Sequence, residues 1–585
     1  MPYDPSSGIH SSPLAPVKLP DEPLSIYDFL FPDQGRAQDD SRPWILDATD
    51  SNRHYTRKRA HDRVFDLSRA FHHRGIAKDT CAVLYSANDV DYGPCLWANF
   101  RQGGIVSPAN PSYNASELAY QISTVDKHYP VKLLLCHPDS IVEAVKACEQ
   151  VKLDSRIIVL MKAGSSDNEV AKGFPTLDDI VEESKHDALP PRVKVAKDEA
   201  RTKLAFLSFS SGTTGLPKAV EIPHFAVIAN VLQGSSHWAA TFPFKRYDAK
   251  TKQGDVVLGV LPFFHIYGLV VVLHESLYLD TPLVILPKFT LPGFLDAISR
   301  FRVSILFVVP PMVVMLIKND VSKYDLSCIR LTMAGAAPLT EETLDAFRKK
   351  FPRSVCGQGY GMSESATLIS LLDASKPDFP AASAGVLVPN IEAKIVSPEG
   401  KLLGPNQVGE LWSRGPSNAL GYLGNEKATK ETFDDDRFLH TGDECKIDEN
   451  GLLYVVDRIK ELGTNLFSLI KSNGMQVAPA ELEGHLLSHP DVQDVAVIGI
   501  PDERRGEAPK AYVVPTPAWS SDRSRSAETL VADLKKFVTD HKIKYKALSE
   551  VEIIDAIPKT ASGKLLRKDL RVLHAKRNKE KSAKL

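Results

Sequence analysis

The chain has no surplus of charge, no paired cysteines and no long apolar run, and each absence narrows its chemistry. Lys and Arg (71) nearly balance Asp and Glu (73), leaving a formal net charge of −2. Without a basic excess there is no broad footprint for a polyanion, and no nucleic-acid partner is expected. The seven cysteines (Cys81, Cys95, Cys136, Cys148, Cys328, Cys356, Cys445) are odd in number and scattered without a C-x-x-C pair. That pattern argues against a disulfide framework or a zinc knuckle and fits buried thiols in a reducing compartment. The most apolar stretches, 269–279 and 305–317, are interrupted by His274 and Glu275 or by Pro310-Pro311, so no transmembrane segment is expected. Residues 1–32 are rich in Pro, Ser and Asp and lack a basic flank ahead of an apolar block, so no secretory signal is read there.

What is present is a soluble composition, 43% hydrophobic and 25% charged, in a chain of 585 residues, which is too long for one core and predicts at least two domains. Val64, Leu67 and Phe71 share a helical face closed by Gly75, and 81–85 follows as a strand. Apolar runs at 133–136, 157–161, 256–260, 283–286 and 305–309 continue the strand series with helical patterns between them. The alternation predicts a large α/β domain with mainly parallel sheets. Runs at 392–396 and 409–414, flanked by Pro, Gly or Asn turns, predict a β-rich, more antiparallel section. Beyond Asp457, strands at 495–500 and 510–515 and a helical face of Leu530, Leu534, Phe537, Val538 and His541 predict a small α+β domain, with 515–525 as a surface loop.

The sharpest motif is Ser210-Ser211-Gly212-Thr213-Thr214-Gly215-Leu216-Pro217-Lys218, directly after the apolar run 204–209. Four hydroxyls, the N–H groups freed by two glycines and one ammonium suit a phosphate chain. It is not a Walker A loop, because Leu-Pro separates Gly215 from Lys218 and Ala219 follows. The bland alternative, a flexible Ser/Thr/Gly linker, fits poorly between a buried-looking strand and Pro-Lys-Ala-Val.

This loop resembles the phosphate-binding signature of the adenylate-forming enzymes, which include acyl-CoA synthetases, 4-coumarate–CoA ligases, firefly-type luciferases and the adenylation domains of peptide synthetases. Further motifs follow in the family's order from about residue 50 to about residue 572, and they are closest to 4-coumarate–CoA ligase-like enzymes. The resemblance implies that Gln358, Gly359, Tyr360, Gly361 and Ser363 bind the nucleotide, with the ring of Tyr360 on adenine, and that Glu364 and Thr214 hold Mg²⁺. It implies that Ala336 and Ala337, after Gly335, line the adenine; that Asp443 and Arg458 hold the ribose; and that Lys460 is the hinge. Pro262-Phe263-Phe264-His265-Ile266-Tyr267-Gly268 is similar to the family's acyl-pocket segment, with His265 controlling access of the carboxylate and Tyr267 lining its tail. Ala336, Gly361 and Gly385-Val386-Leu387 are further wall residues by position. Lys564, in Ser562-Gly563-Lys564, matches the catalytic lysine that neutralises charge between carboxylate and α-phosphate. Lys471, Ser472, Asn473, Gly474 and Gln476 match the CoA-channel loop.

Two departures stand out. Ala219 replaces a usual glycine, and seven residues, 463–469, intervene where the family runs directly from hinge to CoA loop. The insertion is read either as an extruded bulge or as part of the CoA channel. The expected division is 1–50 as extension and lead-in, 51–456 as the ATP- and acid-binding domain, 457–463 as hinge, 464–572 as a small mobile α+β domain, and 573–585 as a basic tail. That tail ends Ala583-Lys584-Leu585, a close variant of a peroxisomal address, so an import receptor and the peroxisomal matrix are expected, with cytoplasm as the alternative.

The implied activity is ATP-dependent acyl- or aryl-CoA ligation: carboxylic acid and ATP give acyl-adenylate and pyrophosphate, then CoA gives the thioester and AMP. A luciferase-type oxidoreductase, a carrier-loading adenylation enzyme and a catalytically impaired binding homologue stand as alternatives.

Overall fold

The computed structural model describes residues 3–33, 42–164, 168–210, 217–251, 253–336, 339, 341–376, 379–380, 382–458, 470–472, 475–477, 479–502, 505–521, 526–542, 544–559 and 565–582. Strands buried on both faces read as continuous apolar runs, and such runs build two largely parallel sheets here. One has six strands in the order Lys218–Pro223, Leu204–Ser210, Ile105–Ala109, Cys81–Tyr85, Val131–Cys136 and Ile158–Leu160, antiparallel only in its first pair. The other has nine and is parallel from Val355–Met362 through Leu331–Ala334, Ile305–Val308, Val257–Gly259 and Leu283–Ile285 to Pro43–Asp47. Antiparallel strands Thr367–Leu371 and Val386–Leu387 flank it on one side and His54–Thr56 on the other.

Side-chain alternation divides each sheet between two cores. Ala82, Leu84, Ile305 and Phe307 face the core shared by the two sheets, whereas Val83, Tyr85, Leu306 and Val308 face helices on the far sides. Helix Tyr92–Arg101 lies in the shared core with all its residues buried, as expected of a helix covered on every side. Two of its polar side chains bond to backbone inside: Asn99 Nδ2 donates to Ile105 O at 3.0 Å and Arg101 Nη1 to Pro190 O at 2.7 Å. Tyr267–Glu275 runs through the same core as a π-helix, a wide winding found mostly at functional sites.

The β-rich section is an antiparallel sheet of Glu392–Val396, Gly409–Arg414, Leu439–Ile447 and Leu453–Arg458. The described part of the lead-in is built into the large domain rather than lying outside it. Tyr3–Asp4 and Ile9–Ser11 form a hairpin that pairs with Glu392–Val396, helix Ile26–Leu30 packs in the shared core, and Pro43–Asp47 completes the parallel run.

In the small domain, Val492–Asp502 and Gly506–Pro515 are the long central pair. Val495, Val497, Ala511 and Val513 face helices Pro479–Leu487 and Ala527–His541; Ala496, Ile498 and Tyr512 face helix Arg567–Ser582. The surface loop expected at 515–525 contains a short helix, Pro517–Ser521. Its proline reads as a breaker in sequence but sits at the first helical position, where a fixed φ and a missing N–H cost nothing. The small domain meets the large one through Lys318, whose ammonium donates to the carbonyls of His489 (3.1 Å) and Val492, and through Lys542 opposite Glu342 at 3.9 Å. Burial at this contact draws Lys318 down to about 8. Six of the seven cysteines are buried, Cys328 being partly so.

The nine-stranded sheet is tied at its base by a buried carboxylate. Asp255 accepts from Arg330 Nη1 (2.6 and 2.5 Å), Ser304 Oγ (2.7 Å) and Lys245 N (2.6 Å). Asp255→Ala would leave the guanidinium facing an unfilled buried site and is expected to lower unfolding free energy by about 3–5 kcal/mol, read by urea denaturation against wild type.

Candidate active site

The motif residues collect where the parallel strands end, the usual place for ligand crevices in open α/β sheets. Ser210 is the last residue of Leu204–Ser210, and Lys218, the first of the returning strand, is its register partner. Residues 211–216, including Ser211, Gly212, Thr213, Thr214 and Gly215, lie outside the described residues. From the neighbouring sheet, Glu364 enters this end on the turn Ser363–Ser365; it is 5% exposed, and its Oε1 accepts from Ser210 Oγ (3.2 Å) and Tyr422 Oη (2.8 Å).

The backbone around Glu364 is unusual. A Cβ on Gly361 would stand 1.4 Å from Thr367 O, so only glycine lets the chain return so closely. Ala366 and Thr367 carry positive φ of 48° and 111°, the second a strained value for a β-branched residue. Hydrogen bonds restrain the turn: Ser365 Oγ lies 3.0 Å from both Met362 O and Thr367 O and shares its one proton between them, and Thr367 Oγ1 donates to Ile266 O at 3.0 Å.

Tyr360 leaves the same strand toward the antiparallel sheet, and its hydroxyl donates to Asp443 Oδ2 at 2.6 Å. Burial, with the Asp443 charge, raises the phenol well above its ordinary range, so it remains a donor. Asp443 pairs across the strands with Arg458, whose side chain lies outside the described residues. Gln358, expected among the nucleotide ligands, is engaged otherwise. Its Oε1 accepts from Leu339 N (2.6 Å) and its Nε2 donates to Leu339 O (3.3 Å), so the amide braces the segment after Ala336. Gly359 pairs with Leu371 within the sheet. Ala336 is exposed with φ 69°; Ala337 lies outside the described residues.

In the segment expected to line the acyl pocket, Tyr267 stands against Gly335, where a Cβ would come within 2.9 Å of its ring, and its hydroxyl donates to Met333 O at 3.1 Å. His265 precedes it and is partly accessible, with Nδ1 accepting from Tyr267 N at 3.4 Å, which leaves the ring proton on Nε2. Desolvation pushes the imidazole down to about 4, so it is neutral at working pH. Gly385-Val386-Leu387 does not form the wall expected of it: Val386 and Leu387 are 2% and 1% exposed in the main core, paired to Thr367–Leu371. Their strand is too deeply packed to present side chains to a cleft.

In the small domain, Ile470–Ser472 and Met475–Val477 form a hairpin that sets Lys471 opposite Gln476. Ser472 is fully buried there, so its hydroxyl does not face a CoA channel in this arrangement. The side chains of Lys471 and Gln476, together with Lys460, residues 463–469, Asn473, Gly474 and Lys564, lie outside the described residues.

A family model described as AMP-binding enzyme matches residues 32–423, and its companion, AMP-binding enzyme C-terminal domain, matches 481–564. The chain belongs to the AMP-binding enzyme family. It is 34% identical to 4-coumarate–CoA ligase 1 of Arabidopsis thaliana over 97% of this chain and 95% of the relative. It is 36% identical to a probable 4-coumarate–CoA ligase 1 of Dictyostelium discoideum over 82% and 83%. Among solved structures it resembles an ATP-bound RpMatB-BxBclM chimera (TM-score 0.76, 25% identity, 94% of this chain and 98% of that one). The fold also matches that of the anthranilate CoA ligase AuaEII in complex with anthranoyl-AMP (TM-score 0.79, 21% identity, 94% and 97%). This AMP-binding enzyme is accordingly an AMP-forming acid–thiol ligase of the acyl- and aryl-CoA ligase kind.

Sequence reasoning missed one participant in this AMP-binding enzyme's cleft, Tyr422. The only signal was an aromatic between Gly421 and Leu423, ahead of the charged run that begins at Glu426-Lys427. For His265, a neutral Nε2–H donor predicts that acid-dependent kcat/KM shows no inflection from this residue between pH 5.5 and 8, protonation entering only as pH falls toward 4. His265→Ala is expected to lower kcat/KM for the acid by about 10²-fold, the usual loss for a positioned donor, with KM for ATP little changed. Initial rates of pyrophosphate release across pH check both.

Proposed function

We propose that the enzyme activates an aromatic or medium-chain carboxylic acid and transfers it to CoA, working with Mg²⁺ and placed in the peroxisomal matrix. The observation that carries the substrate class is the acid end of the cleft: the Tyr267 ring, held by Met333 O against Gly335 and edge-on to Phe307 at 6.4 Å, is an aromatic wall beside a small residue. A flat acyl group fits such a slot. The relatives named as 4-coumarate–CoA ligases support the same reading.

Ser210 Oγ and Tyr422 Oη both donate to Glu364 Oε1, and among the described residues none meets Oε2, a hard oxygen of the type Mg²⁺ prefers. Glu364 fits, with Thr214 as the second ligand by motif. Bound Mg²⁺ would neutralise phosphate charge.

The chain's own groups then have distinct tasks. Lys218 and the hydroxyl-rich loop grip the phosphates; Tyr360 and Asp443, already joined, hold the nucleoside; His265 offers its Nε2–H to the entering carboxylate. A carboxylate oxygen forms a bond to the α-phosphorus as the bond to pyrophosphate breaks, and Lys564 stabilises the charge between them. In the second step the CoA sulfur bonds to the acyl carbon, AMP leaves with the bonding pair, and the thiol proton passes to solvent. The 471–476 hairpin supplies the CoA channel in this reading, and the 463–469 insertion is an extruded bulge beside it.

A panel of aromatic and aliphatic acids assayed for pyrophosphate and thioester is expected to give highest kcat/KM with aromatic or medium-chain members; a short-chain optimum overturns the substrate class. Lys564→Ala should reduce pyrophosphate release by about 10²-fold or more while sparing conversion of supplied acyl-adenylate to thioester. Equal losses in both would remove Lys564 from the adenylation step. The location rests on Ala583-Lys584-Leu585, recognised as an import address. A fluorescent protein fused upstream of the full chain should be punctate with peroxisomal markers and diffuse after deletion of those three residues; a diffuse full-length fusion favours the cytoplasm.

A further inference from the structure

Residues 419–423 lie along the edge of strand Lys218–Pro223, joined to it by one antiparallel bridge at Val220 and Tyr422. Leu420 N donates to Glu221 O (2.9 Å), Glu221 N to Gly421 O (2.9 Å) and Leu423 N to Ala219 O (2.9 Å). The same segment grips the other side of the cleft, since Ala419 N donates to Glu364 O at 2.8 Å. It is therefore a clasp between the strand that begins at Lys218 and the turn that carries Glu364.

Tyr422 is the side chain that the clasp delivers into the cleft. Its main chain bridges Val220, and its N–H is held by Thr429 Oγ1 at 2.9 Å. Its hydroxyl donates to Glu364 Oε1 at 2.8 Å, and the Lys218 ammonium stands over its ring, 5.0 Å from the centroid. One residue thus touches both charged groups of the phosphate end, by two different parts of its side chain. A hydroxyl bond to one carboxylate oxygen fixes the plane of the carboxylate and turns the other oxygen toward the cleft, as partners of metal ligands commonly do. A ring face beneath an ammonium limits where the ammonium can swing.

We propose that Tyr422 is a positioning residue for Mg-ATP, its hydroxyl orienting the Glu364 carboxylate and its ring orienting Lys218. This rests on the reading of Glu364 as the metal-binding carboxylate. The two contacts are separable. Tyr422→Phe removes the hydroxyl and keeps the ring; Tyr422→Leu removes both. Neither substitution adds a charge.

The test is the ATP-induced rise in Tm of the full chain, titrated with Mg²⁺ without acid so that no turnover occurs, alongside ATP binding in EDTA. For Tyr422→Phe the Mg²⁺ midpoint should rise about tenfold, with metal-free ATP binding unchanged. Tyr422→Leu should weaken metal-free ATP binding as well. Glu364→Gln should raise the midpoint by itself, and adding Tyr422→Phe to it should have no further effect, because the hydroxyl acts through that carboxylate. If Glu364→Gln shifts the midpoint and Tyr422→Phe stays within about twofold of wild type, Tyr422 is not a positioning residue although the metal reading stands. If Glu364→Gln shifts nothing, the metal reading falls and this inference with it. The Tm of each variant in EDTA without nucleotide reports its folding, and if Tyr422→Leu is unstable the Tyr422→Phe result alone decides.

Discussion

The cleft depends on one backbone approach, Gly361 against the carbonyl of Thr367, which no residue with a side chain could make. It closes a reversal in which the parallel strand Val355–Met362 turns over and returns as Thr367–Leu371. The turn is held by Ser365 and Thr367 hydroxyls at the cost of positive φ at Ala366 and Thr367. Such strain persists where the surroundings over-determine it. Here it lets one strand send Tyr360 toward the antiparallel sheet and, four residues later, Glu364 toward Ser210 and Tyr422.

That divergence joins parts of the chain that are remote in sequence. Tyr360 reaches Asp443, and Glu364 reaches Ser210 and Tyr422, so the six-stranded, nine-stranded and antiparallel sheets all contribute to one crevice. Stable parallel sheets provide fixed strand ends, and the antiparallel sheet supplies the carboxylate between them. A hydrogen bond at 2.6 Å from a buried phenol to a carboxylate is among the stronger kinds. It ties the orientation of the Tyr360 ring to that of the Asp443 carboxylate before any ligand is present.

Much of this was legible in the sequence because the informative signals are local. Continuous apolar runs announce buried parallel strands, and the predicted runs at 81–85, 392–396 and 409–414 form strands with those same bounds. Motifs such as Gly359-Tyr360-Gly361 are legible for a similar reason, their glycines serving close backbone approach. What stayed hidden depends on long-range geometry. Gln358 neighbours the nucleotide motif in sequence, yet its amide turns to Leu339. Val386 and Leu387 carry the apolar character of a pocket wall, but their strand pairing buries them. Tyr422 is 58 residues from Glu364, and no sequence period connects them. The helix at Pro517–Ser521 was masked by a proline whose meaning depends on whether it precedes or interrupts a turn.

The burial of the thiols has a consequence for an enzyme that manufactures an acylating agent. An acyl-adenylate is a mixed anhydride, and any thiolate within reach competes with CoA for it. Burial raises Cys356 to about 12 and Cys148 to about 11, and it lifts Cys445, two residues from Asp443, well above the ordinary thiol range, helped by Asp443, Glu444 and Glu410. A thiol raised in this direction stays protonated at neutral pH, and the thiol form is a poor nucleophile. Burial of six of the seven cysteines therefore removes those thiols from competition with the incoming thiol of CoA, Cys328 alone being partly covered.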